Sequence, residues 1–164
     1  MVDFGHDICY HIGRLSRGIV FSMFFGEFFH QIDDKNRIRI PTSFKNELGG
    51  SFYFAKGLDG VINILPEKMV EEQLLKLQTI SDFDEDGQDA LLEYTSSVYF
   101  VSEDKQGRIR IPDALVEFAR IEKDVVTVGM GTRLSLMTKQ LREEKRNKRS
   151  HTENINILNQ KIKG

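Results

Sequence analysis

The peptide Asp33-Asp-Lys-Asn-Arg-Ile-Arg-Ile-Pro41 returns 71 residues later as Asp104-Lys-Gln-Gly-Arg-Ile-Arg-Ile-Pro112. A repeat at a fixed offset means that one supersecondary unit is built twice. Asp33 and Asp104 open a turn, because a short carboxylate accepts hydrogen bonds from backbone N–H groups two residues on. Asn36 and Gly107 precede the arginine and are the residue types that enter the left-handed backbone region most easily. Arg-Ile-Arg-Ile then alternates polar with apolar at period two, the pattern of a half-buried strand. Ile38, Ile40, Ile109 and Ile111 therefore face inward. Arg37 and Arg39 share the outer face about 7 Å apart, and Arg108 and Arg110 repeat the arrangement. Pro41 and Pro112 end each strand by removing a ladder donor, and each suits the first turn of a following helix.

The correspondence extends outward from the two peptides. Phe24–Ile32 and Val98–Glu103 are strand-like segments ahead of them, and Ser43–Leu48 and Ala114–Ala119 are short helical stretches behind. Second strands follow at Phe52–Lys56 and Val125–Val128, then a glycine turn and a third strand at Ile62–Leu65 and Leu134–Met137. Each copy reads strand, turn, arginine strand, short helix, strand, turn, strand. The sequence divides into an extension at 1–22, a first copy with its covering helices at 23–96, a second copy at 97–140 and a tail at 141–164. A unit of this size buries little core alone, so the copies are expected to pack together or interlock with other subunits. The fold class is expected to be α+β, mainly β with short helices.

Between the copies, 66–80 has helical spacing in Met69, Val70, Gln73, Leu74 and Leu77. Asp82-Phe-Asp-Glu-Asp-Gly87 reads as an acidic break, and Gln88–Ser96 as a second short helix. The acidic run has two meanings, a solvated loop or an acidic docking surface.

Charge totals −2 and is unevenly placed. Residues 139–164 hold eight Lys/Arg against three Glu, a net of +5, which leaves −7 for the rest. The bulk is therefore no general polyanion binder, and any nucleic-acid contact has to be local. In the tail, 139–149 carries six basic residues and two glutamates at helical spacing. It reads either as a solvated terminal helix with a frayed end, or as a salt-sensitive arm on a nucleic-acid backbone. One cysteine excludes an internal disulfide and fits a reducing compartment. No apolar run approaches the roughly 20 residues of a membrane span.

Met1–Ser22 matches nothing in the second copy, and Asp7, His11, Arg14 and Arg17 interrupt every apolar stretch, against a secretion signal. His6, Cys9 and His11 are candidate soft-metal ligands, but they lack the two-pair spacing of a zinc site and a fourth partner. The simpler expectation is that Met23 is the true start, so that native protein would begin at or near it. No Walker loop, nucleophile elbow or HExxH motif is present, and the acidic run lacks the spacing of an EF-hand loop. No catalytic residue, metal, cofactor or small-molecule substrate is expected.

The Asp-x-x-Gly-Arg element followed by alternating apolar residues and Pro resembles the swapped-hairpin fold of AbrB-type transition regulators and antitoxins. Two copies in one chain, with Met23-Phe-Phe-Gly26 ahead of the first and Asp-x-x-x-Arg in each, resemble the MraZ family over about Met23 to Leu141. That resemblance implies a pseudo-symmetric barrel of tandem AbrB-like units. It also implies a cytoplasmic, nucleoid-associated ring homo-oligomer that binds double-stranded DNA. Such a protein would repress, reading repeated G-rich boxes upstream of its own operon in the division and cell-wall gene cluster. Asn36 departs from the usual Gly of the first motif, but tolerates the same backbone.

The resemblance puts the DNA-contacting arginine on Arg37, with Arg108 its equivalent. Arginine forks onto guanine O6 and N7 in the major groove, which admits a two-stranded ribbon. Lys35, Arg39, Lys105 and Arg110 are cast as phosphate contacts, and Asp33, Asn36, Asp104 and Gly107 as turn formers. Arg37 could instead brace Asp33, and Arg108 brace Asp104, although exposed pairs stabilise by only about 0–1 kcal/mol. The alternative function is an antitoxin-like protein-interaction module without sequence-specific DNA binding. Antitoxins of this fold type carry one hairpin copy and an acidic tail, whereas this chain has two copies and a basic tail.

Overall fold

The computed structural model describes residues 23–164. The expectations for Met1–Ser22, with His6, Cys9 and His11, lie outside the described residues. The first copy supplies β1 (Glu27–Gln31), β2 (Arg37–Ile38), α1 (Thr42–Leu48), β3 (Phe52–Lys56) and β4 (Ile62–Pro66). Helices α2 (Glu67–Leu77) and α3 (Glu85–Ser96) follow. The second copy repeats the pattern as β5 (Val98–Val101), β6 (Ile109–Arg110), α4 (Asp113–Phe118), β7 (Asp124–Gly129) and β8 (Leu134–Thr138). Helices α5 (Lys139–Asn147) and α6 (His151–Lys163) end the chain.

The copies exchange strands. An antiparallel six-stranded sheet runs β1-β7-β8-β4-β3-β5, and β2 and β6 form a separate antiparallel ribbon. The first strand of each copy thus pairs with the third element-strand of the other: Phe28 lies opposite Thr127, and Phe54 opposite Tyr99. Exchanging β1 with β5, β3 with β7 and β4 with β8 maps this order onto itself reversed. The pseudo-twofold axis passes through two pairs of equivalent residues, Ile38 opposite Ile109 in the ribbon and Asn63 opposite Ser135 in the sheet. Neither copy has a sheet of its own.

Period two decides which side chains meet on the axis. Phe54, Ile62, Ile64, Val125, Leu134 and Leu136 point to one face of the sheet. Ile38, Ile40, Ile109 and Ile111 come down onto that face from the ribbon, and all are buried. Phe44 and Leu48 of α1 and Leu115 of α4 close the sides of this core. On the opposite face α2 seats Val70 against Ala55 and Leu65, a smaller second cluster. The chain ahead of β1 crosses close over Gly129, where Phe24 bridges Gly131. A Cβ on Gly129 would stand 2.4 Å from the Phe24 carbonyl carbon, so only glycine admits the crossing.

The ribbon pairs with itself alone, leaving β1 and β5 as free edges, so strand pairing closes no barrel among the described residues. Pro41 and Pro112 have no N–H to extend the two-residue strands toward those edges. Both prolines cap their helices from just outside: the Pro41 carbonyl accepts from the Phe44 and Lys45 amides, and that of Pro112 from Leu115 and Val116.

Two helices begin or end differently from expectation. The acidic break is part of α3, because Asp84 accepts a hydrogen bond from the Gly87 amide at 3.1 Å and caps it. Glu85 and Asp86 then occupy the first turn, where the helix dipole favours negative charge. The tail has no frayed end beyond α5. Ser150 and Glu153 form a reciprocal capping box, at 3.2 and 2.7 Å, that starts α6.

Candidate nucleic-acid interface

The two motif turns share one hydrogen-bonding scheme. Asp33 Oδ1 accepts from the amides of Lys35 and Arg37, both at 2.9 Å, and Asp104 Oδ1 from those of Gln106 and Arg108 at 2.8 and 2.9 Å. The amides of Asn36 and Gly107 close each turn onto the aspartate carbonyl at 3.0 Å. Asn36 has φ 57° and Gly107 φ 71°, the left-handed conformation their residue types were expected to supply.

From these turns the ribbon presents four arginines on the side away from the core. Arg37 lies opposite Arg110. Arg37 and Arg108 are the less exposed pair, and each is braced. Arg37 donates from Nε and Nη2 to Asp33 Oδ2 at 2.8 and 2.7 Å, and Arg108 Nε donates to Asp104 Oδ2 at 2.9 Å. The Nη1 corner of Arg37 also lies 3.9 Å from Asp104, so the two turns face each other across the axis. Arg39 and Arg110 are exposed. Lys35 and Lys105 are exposed at the turn tips, but not at equivalent places: Asp34-Lys35 in one tip matches Lys105-Gln106 in the other.

The family described as "MraZ protein, putative antitoxin-like" matches residues 23–92 and 96–153. The chain belongs to the MraZ family. A protein of Clostridium tetani named transcriptional regulator MraZ is 40% identical over 125 residues, 74% of this chain and 86% of that relative. One of the same name from Clostridium acetobutylicum is 39% identical over 121 residues, 72% of this chain and 83% of its own. Another, from Dictyoglomus thermophilum, is 34% identical over 145 residues, 85% of this chain and 96% of its own.

Within this MraZ-family chain the two arginine faces differ in ways that the repeat hides. Arg110 Nη2 donates to both carboxylate oxygens of Asp113, at 3.0 and 3.2 Å, and Asp113 also accepts from Asn36 at 3.3 Å. The matching position in the first copy is Thr42, so Arg39 meets no acid there and donates instead to the Gln106 carbonyl at 2.7 Å. Lys45 pairs with Glu103 at 2.7 Å, where the pair related by the pseudo-twofold is the apolar Val116 and Ile32. A shallow cleft of about 560 Å³ runs beside this first-copy face, lined by Phe28, Phe29, His30, Arg39, Thr42 and Lys45 among others. Its cationic character comes from Arg39, since Glu103 already pairs with Lys45. Motif matching alone weights both copies equally, and it was the residue after each proline, Thr42 or Asp113, that carried the signal of inequality.

The tail cations are held differently from a free arm. Arg142 Nε donates to Glu27 at 2.8 Å, Arg146 pairs with the same carboxylate, and Lys145 lies 3.6 Å from Asp59. These ion pairs dock α5 beside β1. Among the described residues no group of three His, Cys, Asp or Glu could hold a metal, and no helix is long and apolar enough to cross a membrane.

The braces leave a signature in titration. The Arg37 side-chain hydrogen bond, more than the backbone amides of Arg37 and Lys35, holds the Asp33 carboxyl down at about 2. For Asp104 the lowering comes first from the backbone amide of Arg108, with the side chain a smaller cause. Replacing Arg37 by Gln is therefore expected to return Asp33 well toward the ordinary carboxylate range, while Arg108→Gln moves Asp104 less. Carboxyl-carbon NMR titration checks this, and equal shifts at both sites would contradict it. Since both carboxyls are depressed in the fold, their contribution to stability is present above pH about 4 and is lost as pH falls through the folded values.

Proposed function

We propose that this chain is a sequence-specific DNA-binding transcriptional regulator. It acts as a repressor of the division and cell-wall gene cluster and reads repeated G-rich boxes upstream of its own operon. The observation that carries this is the ribbon: two antiparallel strands, braced by aspartates, present four arginines on one solvent side of a rigid core. A two-stranded ribbon fits the major groove, and an arginine whose Nε edge is already held loses little freedom when its outer edge forks onto guanine. Arg37 and Arg108 are the base readers; Lys35, Arg39 and Lys105 contact phosphates, with Arg110 weakened in that role by Asp113. The names carried by the relatives support regulation of transcription.

Copies arranged as a ring engage several boxes at once, and such avidity exceeds single-site affinity by about 10²–10⁴. Fluorescence anisotropy on DNA from directly upstream of the gene tests the proposal. The expected result is clear preference over scrambled DNA, collapsing to near non-specific affinity when the boxes are cut to one. Equal affinity for both DNAs at every salt concentration, with a stable protein partner recovered instead, would move the assignment to an antitoxin-like interaction module.

A further inference from the structure

Charge in this chain is sorted into three parts. Residues 67–93, which carry α2 and α3, hold nine Asp/Glu against two Lys, a net of −7. Residues 139–164 carry +5, and everything else sums to zero. The fold keeps the two charged parts apart. Helix α2 follows β4 and packs on the half of the sheet that contains β4 and β3, whereas α5 follows β8 and packs on β7 and β8. The pseudo-twofold that exchanges β4 and β8 also exchanges these helices, so equivalent places on the body carry opposite charge.

Each charged part also shows apolar side chains that nothing among the described residues covers. On the acidic hairpin Leu74, Leu75 and Leu92 are 43, 66 and 69% exposed. Leu75 sits one helical turn from Glu71 and Glu72, and Leu92 one turn from Asp89. On α6, Ile155, Leu158 and Ile162 are 42, 56 and 81% exposed at the spacing of a single helical stripe. Lys161 and Lys163 flank that stripe and Lys148 leads into it, and none of the three has an ion-pair partner among the described residues. An amphipathic helix with two lysines in its last turn and an acidic two-helix segment thus stand uncovered among the described residues.

We infer that these surfaces are the two sides of one interface: α6 of one copy docks its Ile155–Leu158–Ile162 stripe on the acidic α2–α3 hairpin of a second copy. Opposite charge steers the encounter and sets its orientation, and the leucine and isoleucine stripes supply the apolar burial. The inner cations of α5 take no part, since Glu27 and Asp59 already hold them. Because donor and acceptor are different surfaces, the contact is heterologous and repeats head to tail. The inference rests on the self-association within the proposed function and names the surfaces that make it.

Sedimentation of the full chain without DNA, across a salt series, tests it. Lys148→Glu with Lys161→Glu and Lys163→Glu is expected to weaken self-association by about tenfold or more, and so is Glu71→Lys with Asp89→Lys. Mixing the two reversed chains should restore association, because each then supplies one intact complementary side to the other. Circular dichroism of each variant separates a lost interface from a lost helix. Wild-type association with reversed variants unaffected, or no recovery on mixing, overturns the interface while leaving self-association standing. A wild-type chain that stays monomeric at every concentration overturns both.

Discussion

Arg37→Ala is expected to abolish the preference for promoter DNA over scrambled DNA while leaving the fold intact. A bidentate arginine–guanine contact discriminates by about 1–3 kcal/mol, roughly five- to 150-fold at a single site, and several sites engaged together multiply the loss. The brace to Asp33 is partly solvent-exposed and contributes little to stability, so thermal unfolding should barely move. Arg37→Lys makes the separation sharper. It keeps the charge and the salt dependence but removes the planar fork, so preference should fall while non-specific affinity persists. A loss shared equally by both DNAs would reassign Arg37 to a phosphate contact. Unchanged preference in both variants would leave it a brace alone.

The second large effect lies beneath the ribbon. Ile109 is fully buried, faces Ile38 on the pseudo-twofold axis and packs into the sheet core. Truncation to alanine is expected to destabilise the protein by about 2–5 kcal/mol, read as a lower denaturant midpoint at unchanged slope. Phe83→Ala is the contrasting substitution: Phe83 is 99% exposed, and its loss should stay within about 0.5 kcal/mol. A cost below about 1 kcal/mol at Ile109 would mean that the ribbon is not seated on the sheet. Both experiments address the same ribbon, one its outer face and the other its inner face, so their results are separable.

Most of the local structure was legible in the residues themselves. Alternation placed Ile38, Ile40, Ile109 and Ile111 inward, and residue type placed Asn36 and Gly107 at positive φ. The span Phe52–Lys56 emerged as a strand with the expected bounds. Strand partners were not legible, because period two fixes which face a side chain takes but says nothing of which neighbour a strand chooses. The pairing of β1 with β7 joins Phe28 to Thr127, 99 residues apart, and none of the five β1 residues is itself buried to announce it. The start of α3 was missed because its acidic composition reads as a loop, until Asp84 is seen to cap it. Helix α6 has a capping box in plain view, but its exposed apolar residues have no partner among the described residues to announce a packed helix.

At the candidate site, sequence supplied the arginines and both possible roles for them. Geometry then showed that the braced state exists: Arg37 and Arg108 hold their aspartates by one edge of the guanidinium. Asp113 had no place in the motif, yet it neutralises Arg110 while Arg39 meets no acid.

The exchange of strands between copies also dictates an order of events during synthesis. Phe28 of β1 is made 99 residues before its partner Thr127. At roughly 5–20 residues per second, β1 waits about 5–20 s for β7 to leave the ribosome. Through that interval the aromatic segment Phe24-Phe-Gly-Glu-Phe-Phe29 has no ladder to join, and the first copy cannot complete a sheet from its own strands. Such long-range pairing makes folding slow and late, a single closing step once β7 and β8 are both available. Duplication therefore gave this chain two arginine-bearing turns and also removed the independence of each half: the nascent protein commits to its fold only when nearly all of it has been written.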